Sequence, residues 1–256
     1  MHKIIKIFIL SLSLPSFCFA QFSRFIKSGT IEFEKSINMF AVLKDGYDPA
    51  QDPQSARRYD QYKLTEPQFL KQKSTLSFKG NTTLFVPEET NLRSEWGAKY
   101  PLTKQFNTVF TNLSEGVFVT QKDVFENLLI LKDSARKIQW KITDEIREIM
   151  GFACRRANAV IMDSIYVVAF YTSAIPVSGG PESFHGLPGM ILGLALPHDH
   201  ITWFATKVTD TAVPESKVVA PQKGRLTNNA GLEEILKTIS KNQRVNGHSI
   251  FTVFKL

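Results

Sequence analysis

The sequence predicts a mainly β protein of the α+β class, built on an antiparallel sheet with one helix near the C-terminus. Short runs that alternate apolar and polar residues recur along the chain, and clusters of Gly, Pro, Asn, Asp and Ser separate them. Only Ala230–Ile239 places apolar residues at clear helical spacing. These observations favour many short strands over a helical bundle.

Residues 1–20 have the pattern of a secretory signal peptide. A basic start is followed by the apolar stretch Ile7–Pro15 and by the small-x-small motif Cys18–Ala20. The apolar stretch is shorter than the roughly 20 residues of a membrane-spanning helix, and no later stretch reaches that length. We expect cleavage after Ala20 and release into the periplasm or the medium, without a transmembrane segment in the mature chain.

The mature chain, residues 21–256, is predicted to fold as a single domain without an intramolecular disulfide. The sequence contains two cysteines, and cleavage removes Cys18 and leaves Cys154. A chain of this length can bury a core large enough to stabilise one domain.

The charge pattern argues against a nucleic-acid-binding protein. Lys and Arg number 31 against 24 Asp and Glu, but the basic residues are scattered. The pairs Arg57-Arg58 and Arg155-Arg156 have no accompanying aromatic ladder, whereas a nucleic-acid surface needs a concentrated basic stripe.

In chain order, the first strand is predicted at Gly29–Glu34, where apolar and polar residues alternate. Residues 44–72 lose this periodicity and are rich in Asp, Pro, Gln and charge, which predicts a loop insertion that can carry short helical turns. Spacing typical of an antiparallel meander then predicts strands at Ser74–Phe78, Thr82–Val86, Thr108–Thr111, Gly116–Gln121 and Phe125–Leu131.

The middle of the chain leaves one alternative open. Lys137–Ile142 alternates and is predicted to be a strand. Asp144–Met150 fits equally a brief helix capped by Thr143 or an extended segment. Val160–Tyr171 is apolar enough for a central strand, or for a pair of strands broken near Asp163.

The last third predicts a hairpin, a helix and a strand. Met190–Leu196 and Ile201–Val208 flank Pro197–His200, whose composition is typical of a hairpin loop. The helix is Ala230–Ile239, and Ser249–Phe254 is predicted to be the final strand.

The most constrained stretch is Ile175–Leu192, which we call the signature segment. Its sequence, IPVSGGPESFHGLPGMIL, contains two Gly/Pro clusters that demand particular turns. Leu187–Met190 fits a type II turn, with proline at its second position and glycine at its third. The prolines remove ladder donors, which places the segment at an edge or outside regular pairing.

The signature segment resembles that of the GLPGLI family of secreted Bacteroidetes proteins, with Met190 in place of a leucine. The family has no established biochemical activity. Other positions that resemble the family pattern are Thr75, Leu76, Phe78, Phe85, Trp140–Ile142, Glu145, Ile149, Gly151–Phe152, Cys154, Arg156–Ala157 and Tyr171–Thr172.

This resemblance implies an antiparallel β bowl or half-barrel, similar to periplasmic lipoprotein carriers and to the N-terminal bowl domain of a bacterial peptide N-glycanase. A bowl of this kind has a concave apolar surface that suits a lipid, a peptide or a partner loop. The resemblance also implies an association with outer-membrane processes.

The signature segment itself has two interpretations, an architectural one and a docking one. In the first, Phe184 packs beneath the turn; in the second, it stays exposed to a partner. The residues concerned are Pro176, Gly180, Pro181, Phe184, Gly186, Leu187, Pro188 and Gly189.

Three groups of residues are candidates for chemistry, each beside a structural alternative. His198 and His200, on one side of an extended segment, can bind a divalent metal together with His185 or His248, or can simply form a polar hairpin tip. Cys154 is a nucleophile or a small buried side chain. Glu182, Ser183 and His185 have the residue types of a hydrolase triad, but neighbours in one link rarely converge as a triad.

The favoured expectation is a non-catalytic envelope protein, without a required cofactor, that binds a peptide, a lipid or an outer-membrane partner. A periplasmic metal-binding protein that uses the histidines is the first alternative. A hydrolase is the second, and it is disfavoured because the sequence contains no carboxylate pair, complete metal motif or nucleophile elbow.

Overall fold

The computed structural model describes residues 25–45, 52–88, 103, 107–243 and 254–255. The predicted signal peptide, His248 and residues 249–253 of the predicted last strand lie outside this range. The described residues form one twelve-stranded sheet in the order β12-β6-β5-β4-β3-β2-β1-β11-β10-β9-β8-β7. Over these residues the sheet is not closed into a barrel, and its shape is consistent with the predicted bowl. The mainly β class is therefore confirmed.

Neighbouring strands of the sheet are antiparallel, except for one parallel pair formed by β12 and β6. The strands are β1 Ser28–Asn38, β2 Phe69–Lys79, β3 Thr82–Pro87, β4 Asn107–Asn112, β5 Val117–Val124, β6 Asn127–Ser134, β7 Lys141–Ile149, β8 Phe152–Ile161, β9 Ile165–Thr172, β10 Met190–Leu196, β11 Ile201–Thr209 and β12 Arg225–Thr227. The helices are α1 Met39–Asp45, α2 Ser55–Thr65 and α3 Asn229–Gln243.

Alternation along the strands separates the core from solvent, as the sequence predicts. In β1 the side chains of Ile31, Phe33 and Ile37 are fully buried, because every second side chain of a strand points to the same face. Lys35 shares this face and is also buried. Its position is the first sign that the inner face of the sheet is not purely apolar.

The predicted loop insertion at 44–72 contains regular structure at both ends. α2 supplies the helical content that the composition allows, and β2 begins at Phe69, ahead of the predicted start at Ser74. The ring of Tyr62 in α2 meets that of Phe40 in α1 edge-on, with 6.1 Å between centroids. This contact holds the described parts of the insertion against each other.

The predicted strand at Lys137–Ile142 is wrong for most of its length. Residues 135–140 are irregular, and β7 begins at Lys141. Trp140 turns toward the signature segment, where its Nε1 donates a hydrogen bond to the carbonyl oxygen of His185 at 2.9 Å. For Asp144–Met150 the extended alternative is right as far as Ile149, where β7 ends, and Ile146–Ile149 pair with β8.

The C-terminal helix is confirmed. α3 buries Leu232 and Leu236 against Leu129 and Leu131 of β6, and Phe254 joins the same cluster. Phe254 lies in a helical turn, so the end of the predicted strand at 249–254 is not extended. Among the described helices, none is long and apolar enough to cross a membrane.

The signature segment connects β9 to β10. It packs against β3, which is far from both strands in the order of the sheet. A β-carbon on Gly179 would lie 2.9 Å from a methyl carbon of Thr83 in β3, so the backbone passes very close to that strand. Met190 and Ile191 then donate backbone hydrogen bonds to Ile175 and Gly179 at 3.0 and 2.9 Å. The segment is therefore a tight loop packed into the core.

The predicted type II turn at Leu187–Met190 is replaced by a tighter turn. The amide of Gly189 donates to the carbonyl oxygen of Leu187 at 2.8 Å, which closes a three-residue turn around Pro188. The φ angle of Gly189 is +155°, against about +80° in a type II turn. Gly189 is needed because a β-carbon at this position would collide with the carbonyl group of Thr172.

We expect Gly189→Ala to lower the free energy of unfolding by roughly 3 kcal/mol or more. The added β-carbon would overlap the carbonyl oxygen of Thr172 and lie 2.7 Å from its carbonyl carbon, so backbone has to move. Gly186→Ala is the matched control, because Gly186 also has a positive φ, +98°, but its nearest neighbour would be the Trp140 ring at 3.4 Å. Urea denaturation measures both; equal losses would contradict the close-approach argument.

Candidate ligand-binding site

A cavity of about 740 Å³ opens between the sheet, the irregular residues 135–139, the signature segment and α3. We call it the pocket. Its described lining residues are Thr111, Gly116, Phe118, Thr120, Lys122, Leu131, Ser134, Ala135, Arg136, Lys137, Ile138, Gln139, Ser183, His185, Gly186, Asn229, Leu232 and Lys255. Its volume falls within the range of small-molecule sites, roughly 300–1,000 Å³.

The charged groups that line the pocket are basic. They are Lys122, Arg136, Lys137 and Lys255, and no Asp or Glu occurs among the described lining residues. Cations that converge on one concave surface attract anions, because a low-dielectric wall screens their field less than water does. The pocket therefore favours a ligand with negative charge.

Lys122 enters the pocket because of strand alternation in β5. Phe118, Thr120 and Lys122 are two residues apart, so their side chains share the face that the pocket covers. Lys122 is only 3% exposed, and its ammonium donates a hydrogen bond to the carbonyl oxygen of Phe254 at 2.5 Å. Burial lowers the pKa of Lys122 to about 8.

Arg136 lies beside Lys122 and is held in a similar way. Its Nη2 donates to the carbonyl oxygen of Lys255 at 2.7 Å, and burial lowers its pKa. The charge of Arg136 also contributes to the lowered pKa of Lys122, after burial and against the opposing effect of Glu182. Two cations thus lie near each other at the pocket wall. Each donates a hydrogen bond to a backbone carbonyl oxygen of a described residue.

Glu182 supplies negative charge behind this wall. It sits in the turn at Pro181–Phe184 with a φ of +54°, and its side chain points into the protein. Its Oε2 accepts a hydrogen bond from Nδ2 of Asn107 at 3.1 Å. Burial raises the pKa of Glu182, while Lys35, Asn107 and Lys122 act in the opposite direction. The signature segment therefore carries a buried carboxyl group to lysines of β1 and β5.

These charges belong to a buried polar band on the inner face of β1–β5. The band consists of Lys35, Gln72, Ser74, Thr83, Asn107, Thr111, Thr120 and Lys122. At one end, the Nζ of Lys35 lies 5.3 Å from the centroid of the Trp203 ring, and burial lowers the pKa of Lys35. Glu182 opposes that effect, because its negative charge favours the ammonium form.

A small polar cavity adjoins this end of the band. Ser74 Oγ and Trp203 Nε1 are buried without a hydrogen-bond partner among the described residues, and both residues line the cavity together with Lys35 and Glu182. Its volume of about 10 Å³ matches the space that one buried water occupies. The polar band is thus suited to hydration as well as to direct pairing.

Sequence reasoning missed Lys35 and Lys122, and it considered Glu182 only as a member of a disfavoured hydrolase triad. Both lysines occupy apolar positions of an alternating pattern, as in Phe33, Lys35 and Ile37. The available sign of a buried ionic cluster was a lysine at a strand position whose side chain points into the core. The role of such a lysine depends on the carboxylate of Glu182, which lies far away in the sequence.

The predicted residues of the signature segment are mostly buried. Gly180, Pro181, Phe184, Leu187 and Gly189 are buried, and Pro176, Gly186 and Pro188 are exposed. Phe184 packs in the main core, which favours the architectural interpretation of that residue. Ser183, His185 and Gly186 line the pocket, so only this part of the segment can touch a ligand there.

The histidines predicted as metal ligands have separate partners. Pro197–Asp199 is a 3₁₀ turn, so His198 and His200 do not form the expected extended pair. His200 Nε2 lies 2.7 Å from Asp45 Oδ2, whereas the His198 ring contacts Tyr166 at 6.4 Å between centroids. Within the described ranges, no group of three or more His, Cys, Asp or Glu side chains could hold a metal ion. His185 lies apart from this turn, at the pocket.

The structure places Cys154 and the residues of the possible triad in different surroundings. Cys154 is fully buried in the core, and burial raises the pKa of its thiol to about 11. His185 Nδ1 lies 2.9 Å from the backbone oxygen of Ser183, while Glu182 bonds to Asn107. The described contacts of Glu182 and His185 therefore do not form a triad with the Ser183 hydroxyl.

Family comparison identifies the signature region. A model of the family described as "Protein of unknown function (Porph_ging)" matches residues 159–193, which include β9, the signature segment and the start of β10. Among curated proteins, no sequence matches this chain.

Solved structures show a similar fold. PNGF-II in the C2 space group has a TM-score of 0.52 and 14% identity, over 81% of this chain and 32% of that chain. PNGF-II in the P21 space group has a TM-score of 0.50 and 15% identity, over 82% of this chain and 33% of that chain. This chain spans about a third of the length of the PNGF-II chains, and at this identity the likeness concerns the fold.

We expect Glu182→Gln to lower the free energy of unfolding by roughly 2–4 kcal/mol, because Lys35 and Lys122 lose their shared counter-ion inside the protein. Urea denaturation at pH 7 measures the change. Glu148→Gln, which removes the same charge from an exposed position of β7, should cost less than about 0.5 kcal/mol. A loss as small for Glu182→Gln would show that the carboxyl group is not a counter-ion.

Lys122 should make stability depend on pH in the alkaline range. Its pKa is about 8 in the folded protein and 10.5 when unperturbed, so the unfolded chain binds more protons between these values. Stability from this residue therefore increases as pH rises from about 8 to 10.5 and is lost as pH falls again.

Removal of the ammonium in Lys122→Met should abolish this increase, which is on the order of 3 kcal/mol. The free energy of unfolding of wild type and variant is compared at pH 7.5 and at pH 10.5. Lys132→Met, at an exposed position of β6, controls for the loss of a lysine. A difference between wild type and Lys122→Met that stays constant with pH would contradict the lowered pKa.

Proposed function

We propose that this protein is a non-catalytic cell-envelope protein that binds an amphipathic small molecule in the pocket. The observation that carries the proposal is the pocket itself, a cavity of about 740 Å³ between the sheet, the signature segment and α3. Binding sites for small molecules are concave, with apolar walls and a few convergent polar groups.

The composition of the wall supports an amphipathic ligand. Phe118, Leu131, Ile138 and Leu232 provide apolar surface, and the basic residues provide polar contacts on the same cavity. Burial of apolar surface supplies affinity at roughly 25 cal/mol per Å², and the cations orient the ligand. A molecule with an apolar body and a polar end satisfies both parts of the wall.

The envelope location rests on the signal-peptide pattern of residues 1–20. We also propose that the chain belongs among the GLPGLI proteins, a proposal supported by its signature segment and by the family match over 159–193. The non-catalytic character is supported by the burial of Cys154 and by the divergent contacts of Glu182 and His185.

The proposal predicts that protein isolated from the envelope under native conditions carries a small molecule. Native mass spectrometry before and after organic extraction would detect the added mass. Ala135→Trp should greatly reduce it, because Ala135 lines the pocket and an indole there occupies space that the ligand needs. Ala153→Trp, at an exposed position of β8, is the matched control and should keep the ligand.

Two results would contradict the proposal. One is the same bound mass in wild type and in a folded Ala135→Trp variant, which would place the ligand elsewhere. The other is protein without any small molecule that also fails to take up fatty acids or short peptides. Capture of a folded outer-membrane protein by a surface outside the pocket would favour the docking alternative.

A further inference from the structure

We propose that Lys122 and Arg136 form an anion subsite in the pocket, which binds the carboxylate or phosphate head of a ligand with an acyl-chain body. This inference rests on the proposed function, because it concerns the chemistry of the same pocket. It goes further by assigning the ligand one acidic group and by naming the two residues that hold it.

Positive charge exceeds negative charge around the pocket wall among the described residues. Lys35 and Lys122 share the single carboxylate of Glu182, and Arg136 forms no salt bridge with a described residue. Buried charges are costly unless they are paired. Around this wall the described cations outnumber the described carboxylates, so an anion is the component that would balance them.

Lys122 and Arg136 together offer several N–H donors at one wall of the pocket. An ammonium has three N–H donors and a guanidinium has five. The described acceptors are one carbonyl oxygen for each cation, Phe254 O for Lys122 and Lys255 O for Arg136. Both side chains line the pocket, so their further donors can reach a ligand there. Two adjacent cations with spare donors suit the oxygens of one acidic head.

The chemistry of the pocket wall favours an acyl chain over a peptide as the body of the ligand. A peptide brings its own amide groups, which need partners, and its ammonium terminus needs a carboxylate that the described lining does not offer. The backbone of β5 is already paired with β4 and β6. An acyl chain needs only apolar contact, which Phe118, Leu131 and Leu232 can give.

The test compares an acid with its neutral ester. The probe is cis-parinaric acid, a fluorescent fatty acid, and its methyl ester is the uncharged partner; both are titrated into delipidated full-length mature protein. We expect wild type to bind the acid about ten-fold or more tightly than the ester, because a hydrogen bond to a charged group contributes roughly 1.5–3 kcal/mol.

Lys122→Met and Arg136→Met should each remove most of this preference while affinity for the ester stays within about two-fold. Lys132→Met removes a lysine of β6 that does not line the pocket, and it should keep the wild-type preference. If Lys122→Met does not fold, Arg136→Met and the acid–ester comparison in wild type still decide the matter.

Displacement of the bound acid identifies the source of the head group. Oleate as the better competitor indicates a carboxylate, and lysophosphatidic acid as the better competitor indicates a phosphate; either supports the subsite. An N-acetylated peptide that competes better than both overturns the acyl assignment.

Equal affinity of wild type for acid and ester overturns the subsite and leaves the proposed function intact. Preference for the acid that survives in folded Lys122→Met and Arg136→Met also overturns it. No binding of acid, ester or peptide to wild type contradicts the proposed function and the subsite together.

Discussion

The buried carboxyl group of Glu182 is the constraint on which the rest of the structure depends. It lies near Lys35 of β1 and Lys122 of β5, although β2, β3 and β4 separate these strands. In a flat sheet the two strands would be about 19 Å apart. One carboxyl group can serve both lysines only when the sheet curves around it, so the ionic cluster and the bowl shape require each other.

The Gly and Pro residues of the signature segment make this placement of Glu182 achievable. Gly179 and Gly180 allow the backbone to lie against Thr83 and Ile191, and Gly189 allows it to return past the carbonyl group of Thr172. The segment is thereby packed into the core on one side and exposed to the pocket at Ser183–Gly186. This stretch thus fixes the path of the chain, and Ser183, His185 and Gly186 of the same stretch form part of the pocket wall.

Most strands could be predicted because alternation is a local property of each strand. Errors arose where a distant contact decided the conformation. Trp140 leaves the predicted strand because its indole bonds to His185 O, 45 residues away. The candidate site was harder to predict, since its wall combines β4–β6, the signature segment, α3 and Lys255. No pattern within a few residues of the sequence predicts that these segments form one wall.

The sequence by itself determined the β-rich class, the C-terminal helix, the hairpin around Pro197–His200 and the presence of tight turns in the signature segment. These features depend on side-chain periodicity and on backbone restrictions that act over a few residues. Only the tertiary structure decided the roles of Lys35, Lys122 and Glu182. The ionic state and partners of a buried charge depend on every group that surrounds it, and those groups come from strands and loops far apart in the chain.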